Sequence, residues 1–209
     1  MGLKLLFLSW WTPKYIIKRE VGYVEALTTD ALEALLNQYS PNKTNTMEEK
    51  PKKEASEGSI EQRRDAMAFK HTSLVNSIAE VLGKEEAIRL GREAMFKVGE
   101  KLGIETRQRL GVGNSLKNMI RAAKILYRVL GIEFEVQLQN HNNATLIINR
   151  CALAAKYSEL TCQVLSATDE GTIKGLNQNM SMTFTERITG GQSKCTAIIM
   201  FRINGGTNR

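Results

Sequence analysis

Apolar side chains recur every three or four residues through the middle of the chain, which is the period of an α-helix with one buried face. This spacing predicts helices over residues 60–82, 84–102 and 116–130. A stretch nearer the start, residues 24–39, has the same period. The three later helices are each followed by a glycine, the residue that most often ends a helix, at Gly83, Gly103 and Gly131.

After Gly131 the apolar positions alternate, and a period of two indicates β-strands. Two hairpins are predicted, over residues 132–150 and 180–202, and the segment 152–168 between them has a helical pattern. We therefore predict an α+β fold. Its N-terminal helices pack on one face of a four-stranded antiparallel sheet, in the order helices, hairpin, helix, hairpin.

The composition changes over residues 41–59, which contain two prolines and no aromatic or β-branched apolar residue. Such a segment buries too little surface to offset the entropy of ordering it, so we predict a flexible linker. It separates an N-terminal appendage, residues 1–40, from an α+β domain over residues 60–203 and a tail over 204–209. No apolar run approaches the roughly 18 residues of a membrane span, so we expect no membrane partner and a cytoplasmic location.

The formal net charge of +7 is concentrated in residues 61–131, which carry fourteen basic and eight acidic side chains. Four of these basic residues lie on one side of the helix predicted over 116–130: Lys117, Arg121, Lys124 and Arg128. A solvated helix face explains this stripe, and a surface that docks a partner or forms a homodimer is the alternative. Exposed aromatic residues are not interleaved with it, so the pattern does not favour nucleic-acid binding.

Three cysteines, Cys151, Cys162 and Cys195, lie in the last third of a chain whose first 150 residues contain none. An odd, clustered set favours a metal site or a reactive thiol over disulfide bonds. A structural zinc site usually has four ligands with two in a close pair, and no such pair is present here, so the spacing is weak evidence for zinc. If the fold brings the three thiolates together, His141, Asp169 or a water would complete the shell. A third explanation is that each thiol packs as a small apolar side chain.

Two acidic residues are candidates for proton transfer. Asp169 follows Cys162 by seven residues, two turns of the predicted helix, so the carboxylate and the thiol share roughly one face. Asp169 would act as a general base or complete a metal shell, unless it is simply a solvated helix end. Glu186 alternates with Phe184 and Ile188 on the side of a strand that should be buried, where its pKa would be raised; an exposed, frayed strand end is the alternative.

An ordered series of residues carries a resemblance to known families. The series is Cys151-Ala152-Leu153 after a strand, Cys162 in a helix, Asp169, Leu176-Asn177-Gln178, and a glycine-turn-cysteine segment from Ile188 to Cys195. With the helices from about residue 73 to 131, it resembles the L-2-amino-thiazoline-4-carboxylic acid hydrolase family over roughly residues 70–203. It is also similar to the 4-vinyl-reductase domain, a small-molecule-binding α+β module with a comparable terminal hairpin.

The hydrolase resemblance implies hydrolytic opening of a thiazoline ring, with Cys151, Cys162, Asp169 and Cys195 in the functional site. The leading hypothesis is therefore an enzyme that cleaves a C–N or C–S bond of a small heterocycle. In it, Cys162 or Cys195 is the nucleophile or a metal ligand, and Asp169 is the general base. Alternatively, a zinc-type divalent metal held by the three cysteines activates the water. The competing hypothesis is a sensor domain that binds a small molecule or a metal without turnover.

Two further observations bear on the reaction. The hydrolase family usually has a proline after its first cysteine and an acidic residue in its glycine turn, where this chain has Ala152 and Gln192-Ser193. The resemblance therefore leaves the substrate open. His71 lies on a polar part of a predicted helix and His141 in a predicted turn. Neither has a neighbour typical of a nucleophile triad, so serine-type hydrolysis has no support.

Overall fold

The computed structural model describes residues 3–40, 58–140 and 143–202. Most of the predicted linker, the predicted tail and His141 lie outside these ranges, so the division into appendage, linker and domain stays a prediction. The helices are α1 (Leu3–Trp10), α2 (Lys14–Tyr39), α3 (Ile60–Leu82), α4 (Lys84–Leu110), α5 (Leu116–Leu130) and α6 (Glu159–Leu176). The strands are β1 (Ile132–Leu138), β2 (Asn143–Cys151), β3 (Met180–Glu186) and β4 (Cys195–Phe201).

The four strands form one antiparallel sheet in the order β1-β2-β4-β3, so β2 and β4 are central. Strand pairs such as Leu146 with Ala197 and Met182 with Ile199 bring alternate apolar side chains to one face. That face is buried together with side chains of α5 and α6 in one apolar core, whereas Ile198 on the other face is exposed. The predicted α+β fold, with helices on one face of a four-stranded sheet, is confirmed.

Four helix bounds differ from the predicted ones, including the end of α6, which is Leu176 and not residue 168. α4 continues through Gly103, because this glycine lies in a close contact with α6 instead of ending the helix. α6 begins at Glu159 and not at 152, because the Ser158 hydroxyl caps it by accepting a hydrogen bond from the Thr161 N–H at 3.0 Å. α2 begins at Lys14, well before the predicted start at 24.

A β-bulge in β3 moves Glu186 off the buried face of the sheet. The register places Phe184 opposite Ala197 and Glu186 opposite Thr196, so β3 has an extra residue, Thr185, at this point. Glu186 is therefore exposed, and it accepts a hydrogen bond from the Thr196 hydroxyl at 2.6 Å. The interpretation of Glu186 as a buried acid is wrong: the side chain is exposed, because of the bulge and not because the strand end frays.

Glycines bring the backbones of α4 and α6 into contact. Gly99 and Gly103 on α4 pack against the part of α6 that contains Gly171 and Gly175. A Cβ added at Gly99 would overlap the carbonyl oxygen of Thr168, and one added at Gly171 or Gly175 would overlap a carbonyl oxygen of α4. Because no side chain separates the two backbones here, α4 determines the position of α6 and of the site residues that α6 carries.

The two N-terminal helices pack on the rest of the described chain. Leu5 and Leu8 of α1 are buried in the core that includes α5, and Leu36 of α2 is buried with side chains of α3, α4 and α6. Arg128 on α5 donates hydrogen bonds to the carbonyl oxygens of Leu8 and Ser9, at 3.2 and 3.1 Å, and so satisfies the C-terminal end of α1. Within the described ranges, none of the helices combines the length and the apolar content of a membrane span.

Candidate functional site

The four residues that the sequence analysis placed in a site line a single cavity of about 80 Å³. Cys151 ends β2, Cys162 and Asp169 lie two turns apart on α6, and Cys195 begins β4. We name this space, lined by Cys151, Cys162, Asp169 and Cys195, the thiol cavity. Sequence reasoning did not place three further side chains that line it, those of His71, Tyr157 and Arg187.

Each thiol is positioned by the end of a secondary-structure element. The sulfur of Cys195 accepts a hydrogen bond from the Ile188 N–H at 3.3 Å, which ties the start of β4 to the short 3-10 helix over Ile188–Gly190. Cys151 pairs with Ile132 at the end of the β1–β2 ladder. Cys162 lies in the first turn of α6. The thiols therefore converge because three element ends meet at the same place.

Asp169 carries a carboxyl group with no hydrogen-bond or ion-pair partner among the described residues. Its neighbour Glu170, by contrast, is paired: Arg92 donates to one of its oxygens at 2.6 Å, and the Phe184 N–H donates to the other at 3.3 Å. Burial raises the pKa of Asp169 from 3.8 to about 7, and the negative charge of Glu170 adds to the rise. At neutral pH both protonation states are populated, as a group that first accepts and then donates a proton requires.

The three thiols are protonated at neutral pH. Burial raises the pKa of Cys151 to about 11. Burial also raises the pKa values of Cys162 and Cys195, and the positive charge of Arg187 opposes this rise. Among the described residues, no three histidine, cysteine, aspartate or glutamate side chains form a group that could hold a metal ion. The zinc-type role of the three cysteines stays a prediction.

His71 is buried beside the thiol cavity, and its predicted place on a polar helix surface is wrong. One ring nitrogen, Nε2, is 2.8 Å from the Thr28 hydroxyl, and the other, Nδ1, is 2.7 Å from the Tyr157 hydroxyl. Burial, with a smaller effect of the Lys70 charge, lowers the pKa of His71 to about 4, so the imidazole is neutral. Sequence spacing could not reveal this network, because its members lie on α2, on α3 and in the loop before α6.

Arg187 lines the thiol cavity because of the bulge in β3. The extra residue reverses the alternation after Phe184, so Arg187 turns inward from the exposed side on which simple alternation places it. Its guanidinium donates to the Ser166 hydroxyl through Nη2 at 3.0 Å and lies over the Phe184 ring, 5.5 Å from the ring centre. A positive charge in the cavity wall is suited to binding an anionic group.

A second cavity, of about 170 Å³, adjoins the thiol cavity. It lies between the helices α1, α2, α4, α5 and α6 and the buried face of the sheet, and Thr168 and Asp169 line both cavities. We name it the apolar cavity after its predominantly aliphatic and aromatic lining. That lining includes Leu102, Met119, Leu126, Tyr127, Phe134 and Leu146. The Asp169 carboxyl therefore lies at the boundary between an apolar space and a space lined by thiols.

Fold and site together define an α+β domain built around two adjoining cavities that share a carboxyl group. The family model described as L-2-amino-thiazoline-4-carboxylic acid hydrolase matches residues 61–199. The chain belongs to this family, and the predicted membership is confirmed. The matched segment contains all four residues named from the sequence. A comparison with curated proteins found no match. The similarity to the 4-vinyl-reductase domain stays a prediction.

Two solved structures share the fold at low sequence identity. A trafficking protein particle complex subunit 3 from Naegleria fowleri, covalently bound to palmitic acid, is 15% identical, with a TM-score of 0.55. The match covers 68% of this chain and 96% of that chain. The phenol-responsive sensory domain of the transcription activator PoxR, with phenol, is 14% identical, with a TM-score of 0.51, over 66% of this chain and 74% of that chain.

Proposed function

We propose that this protein is a hydrolase that opens a small heterocycle at a C–N or C–S bond, with Asp169 acting first as general base and then as general acid. Family membership supports the reaction class. One observation carries the assignment to this site. Asp169 has a carboxyl group that no residue in the described ranges pairs with, and its pKa is raised to about 7 at the edge of the thiol cavity. Buried carboxyl groups with such raised pKa values are typical of proton-transfer sites.

The proposed substrate is a ring with an electrophilic carbon between a doubly bonded nitrogen and a sulfur. Ionised Asp169 takes one proton from a water molecule as the water oxygen bonds to that carbon, and the electron pair of the C=N π bond moves onto the nitrogen, which receives this proton from Asp169. Asp169, ionised again, takes the remaining hydroxyl proton as C=O forms and the bond from the carbon to the ring sulfur or the ring nitrogen breaks, and it gives this proton to the leaving atom. When C–S breaks, one proton of the water ends on nitrogen and the other on sulfur; when C–N breaks, both end on nitrogen. No oxidant or reductant is consumed.

Arg187 is the proposed anchor for an anionic substituent on the ring. A guanidinium has five N–H groups, and those of Nε and Nη2 are directed at Ser166. Charge-assisted bonds to a substrate carboxylate would use the other N–H groups. Asp169, which has no partner among the described residues, would accept hydrogen bonds from the amino group of the substrate. A ring that carries both an amino and a carboxylate group thus satisfies the two charged residues of the cavity.

A thiol nucleophile is the alternative within the same cavity. In that route Asp169 takes the proton of Cys162, and the sulfur adds to the ring carbon before water releases the product. We place water first because burial raises the pKa of Cys162 and Cys195 above the ordinary thiol value. Intact-protein mass spectrometry during turnover distinguishes the routes, since only the thiol route gives a protein adduct, which Cys162→Ser would remove.

The test of the proposal is ring opening of 2-amino-thiazoline-4-carboxylate by the purified full chain. Asp169→Asn should lower kcat by about a hundredfold or more, as expected for loss of a general acid–base group, with an unchanged circular dichroism spectrum. Asp30→Asn, at an exposed aspartate of α2, is the matched control and should keep wild-type kcat. Wild-type kcat in Asp169→Asn, or no ring opening by the wild type, would overturn the proposal.

A second candidate function is binding of a small apolar ligand without turnover, which the apolar cavity favours. A cavity of about 150 Å³ lined by aliphatic and aromatic side chains is large enough to bind benzene, and this one has about 170 Å³. The two fold neighbours, with palmitic acid and with phenol, support this candidate. Phenol should raise the melting temperature of the wild type, and Ala123→Leu, which fills the cavity, should abolish the rise. Ala66→Leu, at an exposed position of α3, is the control and should leave the rise in melting temperature unchanged.

A further inference from the structure

The outer side of α1 and the segment after it expose large apolar side chains. Trp10 is 82% exposed and Tyr15 is 71% exposed. Five of the eleven large apolar residues that are exposed in the described chain lie between positions 6 and 15: Leu6, Phe7, Trp10, Trp11 and Tyr15. We name these five residues the aromatic face. Such a concentration of exposed apolar surface marks an interaction site.

This exposure occurs on a helix that is already docked by its other side. Leu5 is only 1% exposed and Leu8 is buried, both in the core shared with α5. Arg128 holds the last turn of α1 through the carbonyl oxygens of Leu8 and Ser9. It also donates a hydrogen bond to the Thr12 hydroxyl, at 3.1 Å. The core therefore accounts for one side of α1 and leaves the aromatic face without a structural role.

Two basic residues of α5 adjoin the aromatic face. Leu6, Phe7 and Trp10 line a shallow surface groove together with Arg121 and Lys124 of α5. Residues 3–19 and α5 contain no acidic residue. They contain eight basic residues, which are Lys4, Lys14, Lys18, Arg19, Lys117, Arg121, Lys124 and Arg128. Arg19 is paired with Glu20 at 2.7 Å, and Arg128 is hydrogen-bonded to the end of α1. Part of the basic stripe predicted from the sequence thus adjoins exposed aromatic side chains, a neighbourhood that spacing within α5 alone could not show.

We propose that the aromatic face, with the adjoining Arg121 and Lys124, binds the surface of an anionic lipid bilayer. Tryptophan and tyrosine favour the membrane–water interface, where the ring is apolar and its N–H or O–H stays hydrated. Lysine and arginine beside them are attracted to anionic headgroups. α1 then lies in the plane of the interface. The expectation of no membrane partner rested on the length of apolar runs, which decides spanning but does not decide binding to the surface.

The charge pattern favours a bilayer over the other occupants of such a surface. In a two-fold symmetric dimer the same patch of each copy faces the other, which would bring Arg121 and Lys124 of the two copies together. Repulsion between these like charges disfavours such a dimer. Single-stranded nucleic acid would stack on Trp10 and Trp11 and pair with the same basic residues. It would gain little from Leu6, whereas a bilayer buries aliphatic and aromatic side chains alike.

The protein contains two tryptophans, both in the aromatic face, so its intrinsic fluorescence reports on this surface directly. The full chain is mixed with large unilamellar vesicles of phosphatidylcholine and phosphatidylserine at 70:30, or of phosphatidylcholine alone. We expect a blue shift of emission and co-sedimentation with the 70:30 vesicles, both weakened by salt. No shift and no co-sedimentation would overturn the proposal, as would equal binding to the uncharged vesicles.

Variants assign the binding to the proposed residues. Phe7→Ser with Trp10→Ser should lower partitioning onto the 70:30 vesicles by about tenfold or more, while Trp11 still reports. Arg121→Glu with Lys124→Glu should do the same at low salt. Phe69→Ser, at an aromatic residue of α3 that is 75% exposed, and Lys84→Glu are the matched controls and should bind as the wild type.

Unchanged binding in the first two double variants would refute the assignment. So would a blue shift with single-stranded oligonucleotide but not with vesicles. Ring opening is assayed without lipid, so this proposal and the proposed hydrolysis fail independently.

Discussion

Replacing Gly171 by alanine should lower the free energy of unfolding of this protein, although the same change stabilises most helices. Alanine is favoured over glycine in a helix interior by about 1 kcal/mol. At Gly171, however, the added Cβ meets backbone atoms of α4, namely the carbonyl oxygen of Phe96 and the amide nitrogen of Glu100. Backbone atoms cannot rotate away as a side-chain end would, so the two helices have to separate.

The size of the effect follows from these opposing contributions. Overpacking a core by one carbon costs about 1–3 kcal/mol, and more where backbone moves. The α4–α6 contact is at the severe end, because neighbouring positions such as Gly99 and Gly175 are equally close to the facing backbone. After the helix-propensity gain is subtracted, we expect a net loss of about 2 kcal/mol or more. For a chain of this length that corresponds to a melting temperature lower by roughly 4–8 °C.

Gly22 provides a control with the opposite expected sign. It also lies within a helix, α2, but a Cβ there has as its nearest neighbour the Nη1 atom of Arg63, 4.0 Å away. Gly22→Ala should therefore raise the free energy of unfolding by about 0.5–1 kcal/mol. Urea unfolding followed by circular dichroism measures both variants. If Gly171→Ala were as stable as the wild type, or stabilised to the extent of Gly22→Ala, the close contact between the helices would be refuted.

Three further predictions concern titration and hydrogen bonding. First, kcat/KM for ring opening should rise with pH up to about 7, because the base form of Asp169 is its ionised form; a profile flat from pH 5 to 8 would contradict that role. Second, the folded wild type binds more protons at Asp169 than the unfolded chain does between pH 4 and 7, so the stability that Asp169 contributes falls as pH rises through this window. In urea titrations, the stability of Asp169→Asn relative to the wild type should therefore increase as pH rises through this window. His71, whose pKa is lowered to about 4, destabilises the folded state as pH falls below 6.5, but it does so equally in both proteins. Third, Tyr157→Phe leaves a buried nitrogen of His71 unpaired and should cost about 1–3 kcal/mol, whereas Tyr15→Phe at the surface should change stability little.

The architecture was readable from the sequence because its signals are local. The change of period after Gly131, together with helix-ending glycines, predicted α3 to α6, the hairpins and their order, but α1 was not predicted. The predicted end of α4 at Gly103 was wrong for a physical reason. A glycine can end a helix or can let a neighbouring backbone approach it, and the sequence shows the same residue type in both cases. Only the facing helix distinguishes them, and that helix lies about 60–70 residues further along the chain.

The site was only partly predictable, because its completion depends on features that alternation hides. Asp169 and the three cysteines could be named from spacing and family resemblance, and they do line one cavity. Arg187 could not, since a single extra residue in β3 turned it inward and Glu186 outward. His71 could not either, because a histidine among polar neighbours looks exposed until Thr28 and Tyr157 approach it from other elements.

The shared position of Asp169 makes the two cavities thermodynamically linked. A ligand in the apolar cavity that removes water from this carboxyl favours its neutral form, whereas a cationic group in the thiol cavity favours its ionised form. By reciprocity, the pH that sets the charge of Asp169 also sets the affinity of each space. A ligand that binds in either cavity therefore changes the protonation of Asp169, and through it the affinity of the other cavity for its own ligand.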